Sequence, residues 1–206
     1  MDFRRAPRRP FPCAPIPISV VRLPPDVGRS SSMYERELKQ LLQAEPETLR
    51  RYGAALELPE RGVIDRVRAN PFLVIRGAGS IGFDLVALRR EFAFPIEVKS
   101  SREATIHFSA ASGRAAEQLR AHRAAVDRVG LLVLYAYRRL GLRSEDPWRL
   151  YTPAAAPGRG RLELIRRRLP PIDTTREGNA VLRWDAGLPL ARFLDLVTAL
   201  VEPVGA

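Results

Sequence analysis

Apolar residues along this chain change their spacing in a way that marks out one element after another. Tyr34, Leu38, Leu41 and Leu42 recur at helical intervals and form one stripe along a helix. Ser31 or Ser32 is placed to cap it, because Glu35 follows Ser32 by three residues, a capping-box spacing. Residues 45–69 read as irregular helix, and Pro71 to Ile75 (PFLVI) as a short apolar strand. Arg76 to Gly82 (RGAGSIG) is a glycine-rich turn. Asp84 to Leu88 and Phe94 to Lys99 then read as two strands joined around Arg89–Ala93,. After a polar loop, Arg114 to Val129 is a long amphipathic helix rich in arginine, followed by strands at Leu131–Tyr137 and Trp148–Tyr151. Helix, three strands, helix, two strands predicts an α/β domain with a central mixed sheet flanked by helices.

The flanks read differently. Residues 1–31 are rich in Pro, Arg and Ser and form a flexible basic arm, which either follows a phosphate backbone or is a solvated tail. Beyond Thr152 the composition turns to Ala, Pro and Gly, with a basic strand candidate at 161–169 and an apolar helix candidate at 190–201. The expected organisation is an arm at 1–31, a core domain at 32–151, and a linker with a C-terminal extension at 152–206. There is no internal repeat.

Composition narrows the chemistry. A hydrophobic share of 46% is that of a globular chain,, and no apolar run approaches the ~18–20 residues that span a bilayer. Prolines interrupt every N-terminal stretch that could form the core of a signal peptide,, so a cytoplasmic protein is expected. Cys13 is the only cysteine, and His107 and His122 the only histidines. Thiolate and histidine-rich metal sites are thereby excluded, and any metal would be held by oxygens, as hard cations such as Mg²⁺ are. The net charge of +11 favours an anionic partner, nucleic acid first. Of the 34 basic residues only Lys39 and Lys99 are lysines, so the lysine at position 99 stands out against a chain that otherwise uses arginine.

That lysine belongs to a constellation. With the turn centred between Arg90 and Glu91, Asp84 falls opposite Glu97 on an antiparallel pair, and Lys99 shares the face of Glu97,. Two carboxylates side by side among apolar neighbours repel one another unless cations compensate. Lys99 supplies part of that compensation, and a divalent metal would supply the rest. The alternative is a salt bridge on an edge strand. Pro95 cannot donate a ladder hydrogen bond, which puts its strand at an edge or in a bulge.

The stretch RGAGSIGFDLVAL…PIEVKSS resembles the PD-(D/E)XK nuclease core and, in detail, the archaeal-type Holliday junction resolvases. Upstream YERELKQLL resembles their first helix, and RAAEQLRAHRAAVDRVGLLVLYAY with WRLY their later helix and strands. Similarity runs from about Met33 to Tyr151, with residues 45–69 longer than the family pattern. The resemblance implies a restriction-endonuclease-like core. It makes Glu35, Asp84 and Glu97 ligands of a Mg²⁺ ion (Mn²⁺ as substitute) and Lys99 the catalytic lysine. It puts Ser80 near the scissile strand, where an ordinary turn serine is the alternative. Arg36 and Arg76 match phosphate-contacting positions, and Phe83 stands where the generic motif has proline.

Helical geometry agrees for Glu35, which flanks the apolar stripe. Arg114, Arg120 and Arg123 are further candidates for facing DNA, with a solvated helix face as the alternative. His107 reads as a strand or loop histidine rather than a general base. Gln118 is a weak candidate for assisting the site.

The expectation is a structure-selective endonuclease that cleaves four-way DNA junctions, nucleoid-associated and homodimeric, the dimer being implied by the resemblance alone. Its rivals are another PD-(D/E)XK nuclease acting on duplex or damaged DNA, and a non-catalytic DNA-binding protein of the same fold.

Overall fold

The structure is a computed structural model and describes residues 28–77, 82–108, 113–142, 145–153 and 160–201, with side chains from Ser32 onward. Its centre is a six-stranded mixed sheet in the order β1-β2-β3-β5-β6-β9. The strands are β1 (Leu73–Arg76), β2 (Leu85–Arg89), β3 (Phe92–Ser101), β5 (Leu134–Arg139), β6 (Trp148–Tyr151) and β9 (Leu188–Pro189). β1, β2 and β3 form an antiparallel meander, β5 runs parallel to β3, and β6 and β9 are antiparallel to their neighbours. The connection from β3 to β5 passes through a long helix, as a parallel pair requires. The expected α/β architecture with a mixed sheet and flanking helices is what is observed.

Each face of the sheet buries a different core. Along β3, Phe92, Phe94, Ile96 and Val98 point to one side by the period-two rule of strands. They meet α1 (Gly28–Leu42), α2 (Pro46–Ala55), α3 (Val63–Ala69) and α6 (Leu190–Val201). On the other face, Val133, Tyr135, Tyr137 and Tyr151 meet α4 (Arg114–Val129) and a small second sheet. That sheet is β4 (Thr105–Phe108), β8 (Ala180–Arg183) and β7 (Asp173–Thr174), in the order β4-β8-β7. Leu73 and Ile75 of edge strand β1 stay exposed.

Four expectations need correction. The first helix begins at Gly28, so Ser31 and Ser32 lie within it and α1 crosses the 31/32 boundary; residues 1–27 lie outside the described residues. The polar loop before α4 contains β4, which finds its partner β8 more than seventy residues later. Residues 161–169 contain not a strand but α5 (Gly160–Arg166). There Leu162, Ile165 and Leu169 face the main core, while Glu163 pairs with Arg166 and Arg167 at helical spacing,. Finally, β3 is an interior strand. Counted outward from its two-residue hairpin loop, Pro95 and its partner Val86 form a non-hydrogen-bonded pair, so the proline nitrogen faces β5, whose ladder begins only at Ile96,.

The C-terminal segment completes both sheets. β9 pairs with β6, β8 pairs with β4, and α6 places Leu190, Phe193, Leu194 and Val197 in the main core. Asp146 joins the parts: its carboxylate accepts from the Tyr52 hydroxyl at 2.9 Å, the Trp148 N–H at 3.0 Å and the Ala191 N–H at 2.8 Å. No described helix is long and apolar enough to cross a membrane.

Candidate active site

The hairpin of β2 and β3 brings the candidate residues together. Its register pairs Arg89 with Phe92 and Leu85 with Ile96, as a turn centred between Arg90 and Glu91 requires. At the open end the ladder slips by one residue. The Asp84 N–H donates to the Ile96 carbonyl at 3.1 Å, so Asp84 and Leu85 both address Ile96, the pattern of a β-bulge. The direct opposition of Asp84 and Glu97 is thus replaced by a bulge. Asp84 Oδ2 instead takes the place of the next rung and accepts from the Val98 N–H at 2.7 Å.

Gly77 makes this close approach feasible. Its N–H donates to the Asp84 carbonyl at 2.8 Å, and a Cβ built at Gly77 would lie 1.9 Å from the Phe83 carbonyl oxygen. Only glycine lets the two ends of the RGAGSIG turn lie so near each other. Ser80, within that turn, lies outside the described residues.

Glu97 is buried, 3% exposed. Its Oε1 accepts from Lys99 Nζ at 2.6 Å, and the same ammonium donates to Gln118 Oε1 of α4 at 3.3 Å. Among the described residues its Oε2 is buried with no hydrogen-bond partner. Burial pushes the Glu97 carboxyl above its ordinary range; Lys99 and Gln118 oppose this and Glu35 adds to it. Asp84 is pushed up to about 7, first by burial and then by the charge of Glu97, against the Val98 N–H. The two carboxylates therefore sit where their ionised forms are poorly compensated, the situation that attracts a cation.

Glu35, reaching in from α1, raises both groups electrostatically, but its own carboxylate is paired with Arg76 of β1 at 2.6 Å. Among the described residues no three His, Cys, Asp or Glu side chains are gathered to hold a metal ion. The described residues do not assemble the three-carboxylate set, and Glu35 is paired with Arg76. The donor set that is assembled still fits a hard cation: Asp84 and the unpartnered Oε2 of Glu97 offer carboxylate oxygens, and Mg²⁺ commonly takes one or two carboxylates and fills its remaining positions with water and phosphate.

No family profile matches the chain, and no curated protein matches it. Among solved structures, one similar to it is Hjc, a Holliday junction resolvase from the archaeal hyperthermophile Archaeoglobus fulgidus. The two share 16% sequence identity at a TM-score of 0.47, over 81% of this chain and 97% of that one.

The remaining basic candidates are dispersed. Arg76 lies at the site beside Glu35. Arg36 borders a separate groove of about 610 Å³ with Tyr34, Arg51, Tyr52 and Arg138. Arg120 and Arg123 border another, of about 390 Å³, between α4 and the second sheet, and Arg123 donates to the Pro153 carbonyl at 2.9 Å. Arg114 is exposed at the start of α4 and, by helical spacing, shares the face of Gln118 and His122. His107 is exposed on β4 opposite Val181, away from the chemistry.

His122 was passed over by sequence reasoning. It is 3% exposed, bonds the turn before Asp84 through the Gly82 carbonyl, and lies one helical turn beyond Gln118. That i, i+4 pairing of two polar residues beside the apolar stripe of Leu119 and Val126 was the available signal,.

Proposed function

We propose that this protein is a structure-selective DNA endonuclease that resolves four-way junctions by metal-dependent phosphodiester hydrolysis. The observation that carries the nuclease reading is Glu97: a buried carboxylate with one oxygen on Lys99, the other unpartnered, and Asp84 beside it. A core has no use for such a group. A carboxylate this deeply buried costs several kcal/mol, of order, unless a partner or metal compensates. The junction preference, the homodimer, the choice of Mg²⁺ with Mn²⁺ as substitute, and the cytoplasmic, nucleoid-associated setting rest on the sequence resemblance.

Asp84 and Glu97 would hold the ion, which when bound supplies Lewis acidity and lowers the pKa of a coordinated water. The rest of the mechanism belongs to the chain. Lys99, steadied between Glu97 and Gln118, holds a positive charge where negative charge develops on the phosphate oxygens, without reorganising to do so. Arg76 offers a guanidinium suited to a phosphate, and a phosphate taking Arg76 would remove one partner of Glu35. Arg114, on the same face of α4, extends the basic surface along the strand.

A second reading, a DNA-binding protein without cleavage, is favoured by the engagement of Glu35 with Arg76. Incubation of the whole chain with Mg²⁺ and either a four-way junction or a linear duplex separates the two readings, and also separates a resolvase from a duplex nuclease.

A further inference from the structure

His122 bridges the turn before Asp84 and the strand partner of Glu97 without touching either carboxylate. Its Nε2 lies 2.6 Å from the Gly82 carbonyl oxygen, and its Nδ1 lies 2.8 Å from the Tyr135 hydroxyl. A carbonyl oxygen can only accept, so Nε2 must carry the proton. In the neutral ring Nδ1 is then the acceptor, and the Tyr135 hydroxyl donates to it. Burial favours this state from both ends, holding the imidazole below its ordinary range and the phenol well above its own. Phe83 stacks on the imidazole, with ring centroids 4.2 Å apart and planes inclined by 22°.

The two ends of this chain of hydrogen bonds lie beside the two acids. Tyr135 is the direct partner of Glu97 in the parallel ladder between β3 and β5. Gly82 is two residues before Asp84 and has a φ of +78°, a conformation that few other residues hold without strain. Asp84 itself sits in a bulge at the end of β2, outside the regular ladder and held by Gly77, Ile96 and Val98, so the turn that precedes it shares in setting its place. A buried histidine is most often a satisfied part of a core. This one spends its single donor on the backbone of the turn that carries a site acid.

We propose that His122 is a positioning residue: fixed as its Nε2–H tautomer by Tyr135, it holds Gly82, Phe83 and Asp84 so that the Asp84 carboxylate stays beside Glu97. The proposal rests on the reading of Asp84 and Glu97 as metal-binding acids, and it acts through them. Histidines and carbonyls that orient ligands in this way typically contribute 10–100-fold to metal affinity or activity.

The test uses the whole chain and three variants, His122→Phe, His122→Gln and Tyr135→Phe. Phenylalanine keeps the stack on Phe83 but removes the donor, whereas the glutamine amide can still donate near the Nε2 position. Nitrogen-15 NMR of labelled histidine is expected to show Nε2 protonated and Nδ1 bare, a pattern weakened in Tyr135→Phe. Calorimetric titration with Mn²⁺ is expected to show roughly 10–100-fold weaker binding in His122→Phe, with His122→Gln recovering most of the loss. The same order is expected in the Mg²⁺ concentration needed for half-maximal junction cleavage. An Nδ1–H tautomer, or a phenylalanine variant that binds Mn²⁺ like the wild type, overturns the proposal. So does a glutamine variant as weak as the phenylalanine one. A wild type that binds Mn²⁺ with this dependence yet cuts no DNA overturns the nuclease reading and leaves the positioning role standing.

Discussion

Lys99 reaches back along its own strand to hold Oε1 of Glu97 at 2.6 Å, while Oε2 of the same carboxylate is buried without a hydrogen-bond partner among the described residues. The ammonium therefore compensates half of the acid and leaves the other half for a further cation. Lys99→Met removes that compensation and the positive charge that the proposed mechanism sets against a phosphate. We expect the single-turnover cleavage rate to fall by roughly 10²–10³-fold, the usual loss for one preorganised stabilising group. Circular dichroism should show an intact fold. Cleavage retained within a few-fold would make the pair a structural ion pair.

Asp84 predicts how the metal-free protein responds to pH. Its carboxyl is pushed up to about 7 in the folded chain, whereas in the unfolded chain it returns to about 4. The folded state thus binds this proton more tightly. The associated stability is fully present below about pH 4 and is lost as pH rises through about 7. Burial shifts Glu97 in the same direction. Metal-free protein should melt at a lower temperature at pH 8 than at pH 5, and Mg²⁺ should restore stability at pH 8 but not at pH 5, because the ion competes with the proton. Asp84→Asn should melt higher than the wild type at pH 8 without metal. Asp146, pushed up to about 6 by burial, leaves part of the slope in that variant. His122, held below its ordinary range by burial, contributes in the opposite direction, so a wild-type melting temperature that falls no more than that of Asp84→Asn from pH 5 to pH 8 without metal contradicts this account.

Much of this geometry was legible from the chain. A turn centred between Arg90 and Glu91 anticipates the hairpin register, and the helix at Arg114–Val129 and the strand at Trp148–Tyr151 stand where they were expected. The bulge at Asp84 was not legible, because it depends on a carboxylate competing with the backbone for the Val98 N–H. The second sheet was hidden for another reason: strands of two and four residues have too few side chains to show a period, and β4 meets β8 far along the chain. Glu35 acts on both acids from a separate helix, but its pairing with Arg76 is a contact that no spacing reveals.

That pairing gives a third prediction. Arg76→Ala removes the guanidinium paired with Glu35 and leaves more uncompensated negative charge near Asp84 and Glu97, so Mn²⁺ affinity without DNA should rise by about 2–5-fold, the scale of one partly exposed ion pair. Junction affinity in a gel-shift titration should fall in the same variant, and fall less at high salt. A Mn²⁺ affinity that drops would show that Arg76 supports the acids rather than competing for one.

Asp146 provides a stability test away from the chemistry. Its three buried hydrogen bonds tie α2, β6 and α6 together. Asp146→Ala leaves the Tyr52 hydroxyl and two backbone N–H groups without their acceptor, at a cost of roughly 3 kcal/mol. Urea titration should show the midpoint moving down accordingly. A change below about 0.5 kcal/mol, the usual size of a neutral surface substitution, would mean that the C-terminal helix is held by its apolar face alone.

The most direct measurement compares wild type and Glu97→Gln on the same two DNAs, a four-way junction and a linear duplex of matching sequence, with Mg²⁺ present or chelated. The account predicts Mg²⁺-dependent nicking of the junction by the wild type and little cutting of the duplex. For Glu97→Gln it predicts no cleavage, with junction binding nearly unchanged. No cleavage by the wild type at any divalent ion concentration contradicts the nuclease assignment, and equal cutting of both DNAs contradicts the junction preference.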